Sequence, residues 1–128
     1  MSLDPNDNME RLLSGCNRIV VTAGAPFDPR DKKSNKVLAD IRDVASIGLA
    51  KVAFFVDPNS CKGSWMSPAD IYVGFLSGKS LIGSVGVVLS SWLRSTDWEG
   101  DYGVTNHNEL QNWLLDHGVK NGAPGSAP

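Results

Sequence analysis

The sequence predicts a single α+β domain, in which a largely antiparallel sheet of four to five strands carries two or three helices on one face. Two observations lead to this fold class. Several strand-like segments follow one another through hairpin-length links, which are too short to join parallel neighbours. Segments with helical periodicity lie before, between and after them and can cover the sheet. We expect the domain to span residues 9–119, with flexible ends at 1–8 and 120–128.

The first elements are a short helix and two strands. Asn8 is placed to cap a helix over residues 9–15, and Gly15 is placed to end it. Residues 18–22 are rich in β-branched side chains and predict the first strand. Residues 36–41 predict the second strand, with Val37, Ala39 and Ile41 on one face.

A second helix is expected over residues 44–55, with Asp43 as its cap. Its buried stripe is expected to hold five residues that recur at helical spacing, namely Ala45, Leu49, Val52, Ala53 and Val56. That stripe is widened by three further apolar residues, Ile47, Ala50 and Phe54. Residues 52–56 are also rich in Val and Phe, so a strand stays open as the alternative there.

Residues 71–89 predict a β-hairpin. Alternation over residues 71–76 predicts one strand, Ser77-Gly78-Lys79 predicts a tight turn, and residues 81–89 predict the returning strand. Gly83 and Gly86 lie inside that second strand, where glycine indicates a bulge or a closely packed neighbour.

One more strand and a helix close the fold. Residues 92–95 predict the strand, and residues 106–117 predict the helix. Asn106 is placed as its cap, Glu109 follows at the spacing of a capping box, and Gly118 is placed to end it.

Composition excludes several classes of function. A chain of 128 residues with 41% hydrophobic residues can bury one core, and a net charge of −2 gives no electrostatic reason to expect nucleic acid or an anionic membrane. No apolar run is long enough to span a bilayer. Cys16 follows Leu-Ser-Gly, as at a lipidation site, but the ten residues at the start of the chain are polar and acidic, unlike a secretory signal. We therefore expect a cytoplasmic protein.

No cofactor, metal or catalytic group is predicted. Cys16 and Cys61 make neither a disulfide framework nor a zinc site, although a single bridge stays open for an exported chain. His107 and His117 lie on different faces of one predicted helix. The sequence around Ser84 lacks a nucleophile elbow, and no other nucleophile–base pair is evident. An enzyme is therefore the less favoured class.

Loop aromatic and acidic residues are the candidates for binding a protein partner. Alternating carboxylates at 97–101 resemble the start of a calcium loop, but Tyr102 and Asn108 stand where that loop needs glycine and glutamate. Aromatic residues on loops can anchor a partner. The candidates for partner contact are Trp65, Trp98, Asp97, Glu99 and Asp101.

The favoured function is a non-catalytic protein-interaction module, either an inhibitor or immunity-type protein or a homodimer. The homodimer would associate through an exposed sheet edge or face. The alternative is a small-ligand-binding protein or enzyme with a pocket between sheet and helix. Its candidate residues are Asp70, Tyr72, Arg94 and Tyr102, with Arg94 holding an anion.

The chain also resembles a small uncharacterised bacterial α+β protein family. The resemblance rests on the β-branched first strand, the closing Leu-x-x-Trp-Leu-x-x-x-Gly segment at 110–118, and five residues between them, namely Cys61, Leu93, Arg94, Trp98 and Asp101. It implies an α+β fold and no established activity. Family members carry paired histidines where this chain has Val87 and Val88, so histidine chemistry is not carried over.

Overall fold

A computed structural model describes residues 3–31, 36–61, 63 and 67–119. Within these residues the chain forms one antiparallel sheet of six strands and three helices, which confirms the α+β class and adds one strand to the expected number. In chain order the elements are α1 (Pro5–Gly15), β1 (Arg18–Ala23), β2 (Val37–Ile41), α2 (Val44–Ala53), β3 (Ile71–Ser77), β4 (Ser80–Val88), β5 (Trp92–Arg94), β6 (Tyr102–Gly103) and α3 (His107–Asp116).

The strands lie in the order β2-β1-β3-β4-β5-β6, and every neighbouring pair is antiparallel. The strand that the sequence did not predict is β6, which has two residues and places Tyr102 opposite Leu93. Two residues are too few to show alternation. The β3–β4 link is the expected tight turn, with Gly78 at a φ of 62°, a conformation that favours glycine.

The three helices pack on one face of the sheet. Alternating residues of the central strands β1, β3 and β4 point towards them and are fully or almost fully buried: Ile19, Val21, Val73, Phe75, Val85 and Val87. Phe54, just after α2, contacts Phe75 of the sheet and Trp113 of α3 edge to face, at ring separations of 6.2 Å and 5.3 Å. The core of the domain therefore lies between the sheet and the helices.

Gly83 allows α1 to approach the sheet. A Cβ at this position would lie 2.5 Å from a methyl group of the buried Leu12, so only glycine fits without movement. The ladder also shifts register between Phe75 and Leu76 on the facing strand. Both features that glycine indicated in this strand, a bulge and a close neighbour, are present.

Two helix boundaries differ from the expected ones. The α1 helix begins at Pro5 because the Asp4 carboxylate accepts a hydrogen bond from the Asp7 N–H, and Asn8, expected as the cap, lies inside it. The α2 helix ends at Ala53, and Val56 then forms an isolated bridge with Val104. Residues 52–56 are therefore partly helical and partly extended. The expected flexible end at 120–128 lies outside the described residues.

The other face of the sheet carries no helix in the described part of the chain. There Phe27, from the segment after β1, covers Val20 and Leu76 in a small second cluster. Arg18 lies over the Phe27 ring and forms an ion pair with Asp40. None of the described helices has the length and apolar composition that crossing a membrane requires.

Candidate functional site

The three carboxylates of segment 97–101 have three different environments. Asp101 is fully buried and accepts two hydrogen bonds from Arg94, at 2.9 Å from Nε and 2.8 Å from Nη2. Glu99 is exposed and accepts one from the Tyr102 hydroxyl at 3.1 Å. Asp97 is exposed. No set of three or more His, Cys, Asp or Glu side chains that could hold a metal ion converges among the described residues.

Arg94 balances a charge that belongs to the protein itself. Besides its two bonds to Asp101, its guanidinium donates a third to the Ser67 carbonyl at 3.0 Å. The bonds to Asp101 raise the pKa of Arg94. The positive charge expected to hold an external anion is therefore already neutralised, although part of the side chain still reaches solvent.

Trp98 is part of the core. Its ring lies edge to face on Tyr102 with 5.9 Å between centroids, and its Nε1 donates to the Asn8 side-chain oxygen at 2.9 Å. The side chain is 6% exposed, so little of it is available to a partner. Its role in partner binding stays a prediction, and the same holds for Trp65, which lies outside the described residues.

Tyr102 belongs to a buried polar cluster beside the acidic segment. Burial, followed by hydrogen bonds with Glu99 and Cys61, raises the pKa of Tyr102 to about 12. Cys61 and Cys16 are both free thiols. Burial raises the pKa of Cys16, which makes it a poor nucleophile at neutral pH.

Asp70 lies beneath the β4–β5 turn. Burial raises the pKa of Asp70, against an opposing effect of the Leu89 and Ser90 N–H groups. Those two turn residues both have left-handed backbones, with φ values of 51° and 64°. One carboxylate oxygen, Oδ2, is buried with no hydrogen-bond partner in the described part of the chain.

Tyr72 and Arg94 come together in a groove on the helix-free face of the sheet. The groove has a volume of about 280 Å³, and besides these two residues its walls are Pro26, Ser84, Gly86, Ser95 and Thr96. Two of the four ligand candidates therefore line one groove, while Asp70 and Tyr102 do not. It lies on the opposite side of the sheet from the expected pocket between sheet and helix.

Ser91 and His107 form a serine–histidine pair that the sequence did not predict. Ser91, at the β4–β5 turn, places its hydroxyl 2.6 Å from Nδ1 of His107, the first residue of α3. The two lie sixteen positions apart, in no motif, so only the fold brings them together. A hydrolytic pair also needs a third group to orient the base. No carboxylate among the described residues contacts this imidazole.

The largest difference from the sequence analysis concerns α2. The buried face of this helix holds Ile47, Ala50 and Ala53, as predicted. The prediction that Ala45, Leu49 and Val52 also lie in the core is wrong. A second apolar stripe faces solvent, and we call it the α2 outer face. It consists of Val44, Ala45, Gly48, Leu49, Val52 and, just beyond the helix, Phe55.

The α2 outer face arises because this helix carries apolar residues on two opposite faces, with Ser46 and Lys51 as its only polar residues. When residues on both faces are apolar, periodicity cannot say which stripe meets the sheet. The side chains of Phe54 and Trp113 decide it, since their edge-to-face contact fixes the rotation of α2 against α3. The indole of Trp113 also donates to the Ser46 carbonyl at 2.8 Å.

Comparisons of this chain with known protein families, with curated proteins and with solved structures found no match in any of the three. The resemblance to a bacterial α+β family therefore stays a prediction, and any function proposed for the chain rests on its own geometry.

Proposed function

We propose that this protein is a non-catalytic protein-interaction module and that the α2 outer face is its contact surface. The observation that carries the proposal is the exposure of four large apolar side chains on one short segment: Val44 is 85% exposed, Leu49 62%, Val52 48% and Phe55 47%. Single exposed apolar residues are ordinary. A contiguous group of them is typical of a surface that another protein covers.

Burial of this surface would contribute favourable free energy to association. Complete burial of a Val, Leu or Phe side chain stabilises by roughly 1.5–3 kcal/mol, and these four are about half or more exposed. A helix with apolar residues on both of its faces is normally covered on both. A partner on the outer face would complete that burial.

The charge around the α2 outer face favours an apolar partner. None of its six residues is charged. Lys51, at its border, lies 3.9 Å from Glu10 of α1 and so points towards its own chain. A surface without charge gives no attraction for nucleic acid or an anionic membrane, and it matches the apolar centre of a protein interface.

Site-specific photo-crosslinking in cells tests the proposal. A benzophenone amino acid replaces Val52 in one variant and Asn112, an exposed polar residue of α3, in the matched control. We expect a covalent protein adduct of defined mass from position 52 and none from position 112. Equal labelling of many proteins from both positions, or no adduct from position 52, overturns the proposal.

A second candidate function is small-ligand binding in the groove that Tyr72 and Arg94 line. Its volume of about 280 Å³ is near the lower limit for ligand pockets. A fragment screen by NMR tests it. Binding there should shift the amides of Tyr72 and Thr96, and should be lost when Ser84→Leu fills the groove but kept with Ser14→Leu on α1. Fragments that shift no groove amide rule this function out.

A further inference from the structure

We infer that the occupant of the α2 outer face is a second copy of this chain, bound with its α2 antiparallel across a two-fold axis at Gly48. This inference rests on the proposed function and names the partner. It differs from the homodimer expected from the sequence, which used a sheet edge or face.

The order of residues along the helix carries the inference. Val44, Gly48 and Val52 are four residues apart, so they form one stripe along the outer face. The stripe is symmetric about Gly48. A two-fold contact must match a surface with itself. An antiparallel α2 pair centred on Gly48 does so, because it sets glycine against glycine and Val44 of each copy against Val52 of the other.

Gly48 makes a close crossing of the two helices feasible. A Cβ built at this position meets no atom within 4 Å, so the monomer does not need glycine there. Glycine in a helix is less favourable than alanine by roughly 1 kcal/mol. Gly48 weakens the helix and is not required by packing within the monomer. A close approach of a second helix would explain why glycine is found there.

A groove beside the stripe completes the match. Between α1 and α2 there is a groove of about 360 Å³, whose walls include Leu13, Val44 and Gly48. Arg42 and Lys51 also line it, and their aliphatic stems can pack against an apolar side chain. In the antiparallel arrangement Val52 of the second copy lies next to this groove. The side chain that each copy presents is therefore opposite a space that can receive it.

Electrostatics favour the same orientation. Antiparallel helices set the positive N-terminal end of one dipole beside the negative C-terminal end of the other. A net charge of −2 on each copy produces only weak repulsion. The sheet edge at β2 also exposes Val37 and Leu38. It is less suitable because Asp40 there pairs with Arg18 and Arg42, and charged edge residues oppose strand pairing between molecules.

The dimer is expected to be weak and concentration-dependent. One short helix pair covers less than the roughly 800 Å² per partner of a standard interface. Light scattering across a range of concentrations should therefore show a mass rising from 13.7 kDa towards twice that value.

Replacing Gly48 separates the dimer from the fold. Gly48→Leu has free space in the monomer and improves helix propensity, yet it places a side chain at the crossing point. We expect self-association to weaken at least about tenfold while the fold is retained. The matched control, Asn112→Leu on α3, should leave self-association unchanged. Equal association of Gly48→Leu and the native chain overturns the inference.

Disulfide trapping tests the symmetry directly. In a Cys16→Ser, Cys61→Ser background, Gly48→Cys should form a covalent dimer on mild oxidation, since cysteines facing each other across a two-fold axis can be bridged. Asn112→Cys in the same background should stay monomeric. Trapping at both positions, or at neither, contradicts the proposed crossing.

The outcomes for this inference and for the proposed function are distinguishable. A chain that stays monomeric at every concentration, but forms a defined adduct with a different protein from position 52, refutes the second copy and keeps the interaction module. If the Leu49→Asp and Val52→Asp variants dimerise as well as the native chain, both the second-copy inference and the proposed contact surface are refuted. An adduct of two copies of this chain supports both.

Discussion

Arg94 and Asp101 form the same two-point ion pair as Arg18 and Asp40, with N–O distances of 2.9 Å and 2.8 Å in each pair, but only Asp101 is fully buried. Asp40 keeps about a third of its side-chain surface exposed. The molecule therefore contains two ion pairs of matched geometry that differ in solvation.

The first prediction uses this match. Asp101→Asn should lower the free energy of unfolding by roughly 3 kcal/mol, because it leaves the Arg94 charge without its buried partner. Asp40→Asn should lower it by less than about 1 kcal/mol, because solvent screens that pair. Urea unfolding of both variants measures the difference. Equal losses would mean that burial does not set the strength of the pair.

The second prediction concerns two glycines with opposite surroundings. Gly83→Ala should destabilise by roughly 1–3 kcal/mol, because its Cβ overlaps the buried Leu12. Gly48→Ala should stabilise the monomer by about 1 kcal/mol, because its Cβ meets open space in a helix. Unfolding at low protein concentration keeps the second measurement free of association. If both substitutions changed the free energy of unfolding in the same direction, the packing described for the two glycines would be contradicted.

The third prediction concerns alkaline stability. The pKa of Tyr102 rises to about 12 in the fold from an ordinary value of 10.0, so the folded state holds this proton more tightly than the unfolded state does. The stability that this provides is complete below pH 10 and is lost as the pH rises from 10 to 12. Tyr102→Phe should flatten that part of the profile. An identical decline in both proteins would show that other groups cause it.

The fourth prediction concerns Asp70. Burial raises its pKa, so the fold disfavours its charged form, and this effect is complete once the pH exceeds the raised value. Asp70→Asn should therefore be more stable relative to the native chain at pH 7 than at pH 3. Thermal unfolding at both values measures this. A relative stability that is the same at both pH values would indicate that the carboxylate is ionised without penalty.

The strands and helices were largely predictable because local signals identified them. Alternation, the Gly78 turn and the Asp43 cap each depend on neighbouring residues, and β1 to β5, α2 and α3 appear where those signals lie. The α1 helix also forms, but it begins at Pro5 and not after Asn8. The strand β6 was not predictable in this way. Its two residues pair with β5 only because the 97–101 segment turns back around the buried Asp101.

The candidate site was predicted less well, because it depends on contacts between distant parts of the chain. Trp98 looked like a loop aromatic, yet its partner Asn8 lies ninety positions away. Leu49 and Val52 looked like core residues, yet the contact between Phe54 and Trp113 turns them outward. Neither contact can be inferred from the composition of the chain or from the spacing of residues along it.

The most direct test of the central claim, that the α2 outer face is a protein-binding surface occupied by a second copy, is NMR of the backbone amides from about 10 µM to about 1 mM, the range of a weak dimer. We expect concentration-dependent shifts at Val44, Gly48 and Val52, and none in the groove beside Tyr72 or along the β2 edge. Shifts that map to β2, or an absence of shifts across the whole range, would contradict the account.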